Sequence, residues 1–179
     1  MTTIIIIAII LVIAFFLLKP KNNKKNVGNP IETINFVGCM GINLGDSWKF
    51  VLSRMLHLNL ISKKKFMEYH VNYEEYIGNS FMETSVGRFS IEEHFNNIQE
   101  LEYVVRYGVL NRVFIKFAGE QQDIDTLVEI VKNKITRKFG YPIENKDGNH
   151  FFMWMDRETG NMLILSDVDH SLTLSSRVL

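Results

Sequence analysis

The chain has one cysteine, Cys39, so no disulfide can close within it, and a domain of ordinary size needs none. It has only three prolines, Pro20, Pro30 and Pro142, and the first two flank one short polar stretch. Acidic residues are missing from the first thirty positions, although the chain carries 20 of them and is formally neutral. Setting aside Lys19, Lys21, Lys24 and Lys25 leaves 16 basic against 20 acidic residues, a net of −4. A domain with that balance lacks the basic face that phosphate contacts require, which excludes nucleic acid as the expected partner.

Several chemical signatures are absent as well. VGCMGINLG has neither the lysine of a phosphate-binding loop nor the G-x-G-x-x-G spacing. No H-E-x-x-H pair and no serine nucleophile elbow occurs. FVGC, at Phe36–Cys39, is not a lipid-attachment box, because twenty residues with Lys24, Lys25 and Glu32 among them separate Cys39 from the apolar run before it. Cys39 reads as a small buried or half-buried thiol.

What is present begins with that run. Ile4 to Leu18 contains no polar side chain. Its fifteen residues span roughly 22 Å as a helix, and residues 1–18 roughly 27 Å, against an apolar bilayer core of about 30 Å. Lys19 can extend its ammonium to the headgroups. No basic start precedes the run and no small-x-small cleavage site follows it, so residues 1–18 are expected to be a retained transmembrane anchor rather than a secretory signal. Lys19, Lys21, Lys24 and Lys25 set the orientation, with the N-terminus outside and the main domain in the cytoplasm; they also suit anionic lipid headgroups. An exported domain is the alternative. Residues 19–30, KPKNNKKNVGNP, read as a flexible basic linker that reaches about 40 Å when extended.

Residues 31–179 are expected to form a single α+β domain: two amphipathic helices packed on a largely antiparallel sheet. Asp46 caps the first, whose apolar stripe is Trp48, Val51, Leu52, Met55 and Leu56. The second carries Ile124, Leu127, Val128, Val131, Ile135 and Phe139 on one face, with Asp123 as cap, Gly140 as terminator and Pro142 beyond it. Strands are expected near 65–71, 81–91, 101–107, 112–117, 150–156, 161–166 and 171–177. RVFIKF and HFFMWM are apolar on both faces, whereas antiparallel sheets often leave one face wet. Cover by the segment 66–100 is the expected arrangement, and an exposed contact surface the alternative.

GINLGDSWKFVLSRM resembles the G-I-x-L-G-x-S lead-in to the first helix of small uncharacterised bacterial membrane-attached and exported domains, similar in outline to beta-lactamase-inhibitor-protein-like domains. The matching positions are Gly41, Ile42, Leu44, Gly45 and Ser47, then Phe139, Gly140, Pro142 and Trp154. The resemblance implies an interaction or assembly domain with no catalytic residues to transfer.

For chemistry, DVDH offers Asp167, Asp169 and His170, hard or borderline metal ligands within four residues. Asp in a hairpin turn is equally ordinary backbone chemistry. Glu92, Glu93 and His94 alternate in direction on a strand, and Glu74–Glu75 near His70 is as loose; both groups read as solvated charge. Phe152, Trp154 and Tyr107 are the aromatic candidates for a partner surface, with core packing the favoured reading of such aromatics. The expected function is therefore a single-pass membrane protein whose domain binds another protein or itself, with no cofactor. The alternative is a membrane-tethered hydrolase or ligand- or metal-binding domain built on Asp167, Asp169 and His170.

Overall fold

The computed structural model describes residues 28–79, 86–144 and 150–177. The expected anchor at 1–18 and most of the linker lie outside these residues. Among them, no helix is long and apolar enough to cross a membrane.

The described chain begins with a short helix, α1 (Pro30–Thr33), started by Asn29, whose Oδ1 accepts the Ile31 amide at 2.9 Å. Proline suits this first position because its missing N–H would find no partner there. A two-stranded ribbon of β1 (Gly38–Cys39) and β2 (Ile42–Asn43) follows. Then comes α2 (Trp48–His57), which buries Trp48, Val51, Leu52 and Met55, the stripe its periodicity implies. Its cap is Ser47, not Asp46. Ser47 Oγ accepts the Phe50 amide at 3.3 Å, while Asp46 Oδ2 accepts the Asn43 amide at 2.7 Å and tightens the preceding turn.

The strand expected near 65–71 is instead a helix, α3 (Lys63–Asn79). Its aromatic content suits a sheet, but Phe66, Tyr69, Tyr73 and Ile77 recur at helical spacing and turn one side toward the core. Ser62 starts it, its Oγ accepting the Lys65 amide at 3.1 Å. Among the described residues there are thus three longer helices rather than two.

Seven strands form one antiparallel sheet: β3 (Val86–Ser90), β4 (Ile98–Arg106), β5 (Val109–Phe117), β6 (Ile143–Glu144), β7 (Phe151–Met155), β8 (Met162–Ser166) and β9 (Ser171–Ser175). Between β5 and β6 runs α4 (Gln121–Phe139), which buries Val128, Val131 and Ile135. Asp123 lies in its first turn rather than at its cap, which is Glu120 and makes no side-chain bond; Gly140, at φ 87°, ends it as expected. The spatial order is β3-β4-β5-β9-β8-β7-β6. Two meanders, each preceded by helix, therefore meet along β5 and β9, with Val113 opposite Leu174 and Ile115 opposite Leu172.

All the packed helices lie on one face of this sheet. That face carries Phe89, Leu101, Tyr103, Val105, Val113, Ile115, Leu163, Leu165, Leu172, Leu174 and Trp154, all buried. Burial of each large aliphatic side chain contributes about 1.5–3 kcal/mol before entropy is counted. Tyr73 of α3 stacks edge-on to both Trp48 and Phe89, and its ring occupies the space a side chain at position 87 would fill: a Cβ on Gly87 would meet it at 2.6 Å. Of the 66–100 segment, α3 therefore covers the same face as the other helices, not the second one.

Candidate functional site

The DVDH residues sit in the turn between β8 and β9, and the structure sends them apart. Asp167 faces His150 at 3.3 Å across the sheet end. Asp169 closes its own turn, its amide donating to Ser166 Oγ at 3.0 Å. His170 lies at φ 49° and turns toward the start of α4, 3.2 Å from Gln121 Nε2 and 3.7 Å from Asp125. Among the described residues, no three His, Cys, Asp or Glu side chains are grouped so as to hold a metal ion. Glu92 serves the backbone: its carboxylate accepts the Ser62 amide at 2.6 Å, and Ser62's bonds hold it below the ordinary carboxylate range. Cys39 is buried, and that burial pushes its thiol up to about 12, so it offers no thiolate nucleophile.

The three aromatic candidates separate in the same way. Trp154 is 2% exposed, and its indole N–H donates to the Gly140 carbonyl at 3.0 Å, tying β7 to the end of α4. Phe152, two residues earlier, packs on the core side beneath Lys132, whose ammonium stands 3.7 Å from the ring centre. Only Tyr107, in the β4–β5 turn, is open to solvent, at 37%. Trp154 and Phe152 thus take the core placement favoured for such aromatics rather than a partner surface. Side chains alternate, so their neighbours Phe151, Met153 and Met155 face the other way.

That other face is uncovered among the described residues. Cross-strand register places Ile143, Met153, Ile164, Thr173 and Phe114 in one continuous row from β6 to β5. Met155 and Met162 flank the row on one side and Phe151 on the other. None of these apolar side chains belongs to the core or packs against it. Ile143 is 54% and Met155 45% exposed, and the others are half-buried by their neighbours on the sheet. Strands β6 to β9 bring no ionisable side chain to this face; the charges sit on β3 to β5.

There Glu102, 8% exposed, accepts from Ser90 Oγ at 3.1 Å and pairs with Arg88 at 3.3 Å. Glu100 is half-buried beside it, and burial first, then the Glu102 charge, raises its carboxyl above the ordinary 4.5. Glu100, Ser90, Glu93 and His94 also border an open 340 Å³ cleft. A raised carboxyl binds its proton more tightly folded than unfolded. Stability from this group is therefore complete below the unfolded value and declines as pH rises through the folded one. Glu100→Gln is expected to raise unfolding free energy at pH 7 by less than about 1 kcal/mol and to flatten the stability profile above pH 4.5. Urea unfolding at pH 4 and pH 7 measures both, and an unchanged slope would remove Glu100 as its source.

Neither the paired glutamates nor the open face was visible in the sequence. The glutamates lie two apart on a strand, a spacing that signals nothing without Arg88 and Ser90 opposite. The apolar run HFFMWM marked a strand apolar on both faces but not which side is left open. No family model, curated protein or solved structure matches this chain.

Proposed function

We propose that this chain is a single-pass membrane protein whose α+β domain is a protein-interaction or assembly module, docking through the open face of its sheet. The observation that carries this reading is the uncharged apolar row from Ile143 to Phe114, which no described element covers. Soluble monomers seldom leave a contiguous apolar patch of that kind in water, and such patches mark binding surfaces. Ile4 to Leu18 is the anchor, with the domain on the cytoplasmic side, where Lys19, Lys21, Lys24 and Lys25 hold the flanking chain. The likeness of the Gly41–Ser47 lead-in to uncharacterised exported and membrane-attached domains of beta-lactamase-inhibitor-protein-like outline implies the same class. The hydrolase or metal alternative built on Asp167, Asp169 and His170 is the weaker reading, since these side chains turn to different partners.

One tagged protein tests both parts. With a tag fused after Leu179, protease should reach it in inside-out vesicles but not in right-side-out cells; the reverse would place the domain outside. After extraction in mild detergent the chain should elute as a complex, and Met153→Lys should weaken that complex at least about 30-fold, because a buried unpaired ammonium costs 2 kcal/mol or more. Equal elution of the native chain and Met153→Lys would rule out docking through this face.

A further inference from the structure

We infer that the outer face of α4, around Ile130, Lys134, Arg137 and Lys138, rests on the anionic headgroups of the bilayer that anchors the chain; the inference rests on the anchor reading above. The first argument is charge. Beyond residue 30 the chain has 16 basic and 20 acidic side chains, yet residues 130–141 hold four of those cations and no acid. Lys132 is turned onto the Phe152 ring, while Lys134, Arg137 and Lys138 line an open groove of 660 Å³ with Ile130 and Asn133. Two carboxylates come near it. Glu129 accepts from Asn133 Nδ2 at 3.1 Å, and Glu32 of α1 borders the adjoining hollow beside Lys134 and Lys138. Among the described residues, neither forms an ion pair with those cations. The helix dipole favours cations in the last turn of α4. It explains neither Lys134, more than a turn before Phe139, nor the 57% exposure of Ile130 among them.

The second argument is position. The first described helix, α1, lies at the same end of α4: Ile31 and Ile34 share a hollow with Val131, Ile135 and Phe139, and the Phe36 and Phe139 rings stand 4.4 Å apart. The chain therefore enters the domain beside the groove. Residues 19–30 are all that separate that entry from the run at Ile4 to Leu18. Such a linker spans at most about 40 Å, and about 20 Å on average as a coil. The groove is thereby held within a few Debye lengths of the bilayer, each about 8 Å. Near the surface each lysine or arginine contributes about fivefold to attachment, and three about a hundredfold. Tethering adds to this, because the second contact is intramolecular. An acidic protein has no such fixed proximity.

Composition gives the third. Ile130 is exposed within the groove lining, and Tyr141, 93% exposed, follows the helix end. An aliphatic and an aromatic side chain among lysines and an arginine suit the headgroup boundary, where apolar ends enter lipid while charged ends stay wet. The seating also serves the docking face. Val128, Val131 and Ile135 of α4 are buried toward the sheet. Lipid on the outer side of α4 therefore leaves the apolar row from Ile143 to Phe114 pointing away from the bilayer.

The test uses the full chain reconstituted in vesicles of phosphatidylcholine, alone or with about one-third phosphatidylserine, and a headgroup-linked quencher in both. A dye is attached at Ile130→Cys, or at Met155→Cys on the open sheet face; Cys39 is buried and supplies no background thiol. Both leaflets have one composition, so the direction of insertion does not matter. Quenching at Ile130→Cys should rise at least about fivefold with phosphatidylserine and fall back in about 0.5 M salt, where the Debye length is about 4 Å. Lys134→Gln, Arg137→Gln and Lys138→Gln combined keep good helix formers in α4 and should abolish the rise. No rise with phosphatidylserine, equal quenching at the two dye positions, or a rise that the glutamine variant keeps would overturn the seating. If lipid gives no rise and the glutamine variant loses the complex found in mild detergent, the groove belongs to an acidic protein instead. Carbonate washing tests the anchor separately: release of the chain from the vesicles would overturn that reading, whatever the dye reports.

Discussion

Replacing Trp154 with alanine is expected to lower the unfolding free energy by about 3–5 kcal/mol, while Met155→Ala, one residue along the same strand, changes it by less than about 1 kcal/mol. Trp154 is 2% exposed, packs beneath the end of α4, and donates its indole N–H to Gly140. Truncation removes the apolar burial, leaves a cavity the sheet cannot close, and strands a carbonyl that ends a helix. Met155 points to the open face, 45% exposed, and touches no core residue. Thermal unfolding of the full chain in mild detergent should show a drop of about 10 °C or more for Trp154→Ala. Equal shifts for the two variants would mean that the strand's inside and outside are wrongly assigned.

The second large effect concerns Cys39. In the folded chain its alkylation at pH 8 should run at least about 10³-fold slower than that of an ordinary exposed thiol. A thiol pushed up to about 12 holds almost no thiolate at that pH, and Cys39 also lies within the β1–β2 ribbon behind Pro30 and Tyr103. Labelling therefore proceeds through opening of the ribbon. Gly38→Ala should promote that opening. A Cβ there would overlap the Ile42 carbonyl oxygen and lie 2.6 Å from Asn43 Oδ1 and 2.8 Å from Asn43 Cα, and the backbone atoms among these cannot swing aside. A loss of about 1–3 kcal/mol, characteristic of overpacking, would accelerate labelling about 5- to 150-fold if it falls on the ribbon. Mass spectrometry after timed iodoacetamide pulses reads both rates. Complete labelling of the native chain within minutes would show that Cys39 is accessible without opening.

The parts of the fold that could be read beforehand share a physical cause. In α2 and α4 the apolar side chains repeat at 3.6 residues over two turns or more, and a stripe that long is buried as a helix. Gly140 ends α4 because glycine takes φ 87° without the steric cost other residues meet, and Pro142 follows because its ring cannot continue a helix. The strand runs beyond residue 98 were likewise legible from β-branched and aromatic residues between turn signals. Residues 63–79 were misread because composition was weighed above period: Phe66, Tyr69, Tyr73 and Ile77 already carried the helical spacing. The caps moved by one residue at α2 because Asp46 and Ser47 both suit that role, and only the turn from Asn43 decides between them.

For the open face, the sequence marked β7 as apolar on both sides without deciding which side is buried. FFMWM is apolar at every position, so its alternation is the same whichever side is buried. Aromatic size pointed to Trp154, and size is equally a reason to be in the core. The divergence of Asp167, Asp169 and His170 was also hidden, because it depends on His150 and on the start of α4, nearly twenty and about fifty residues away.

By itself, then, the sequence determined the α+β class, the helices whose period is unambiguous, the uncharged run at Ile4 to Leu18 and the lysines beside it. These follow from local chemistry that neighbouring residues carry among themselves. Only the tertiary structure decided which side of HFFMWM is left open. That choice was made when α2, α3 and α4 all packed on the face of Trp154 and when β9 joined β5 to β8. It turned Ile143, Met153, Ile164 and Phe114, drawn from four separate strands, into one surface.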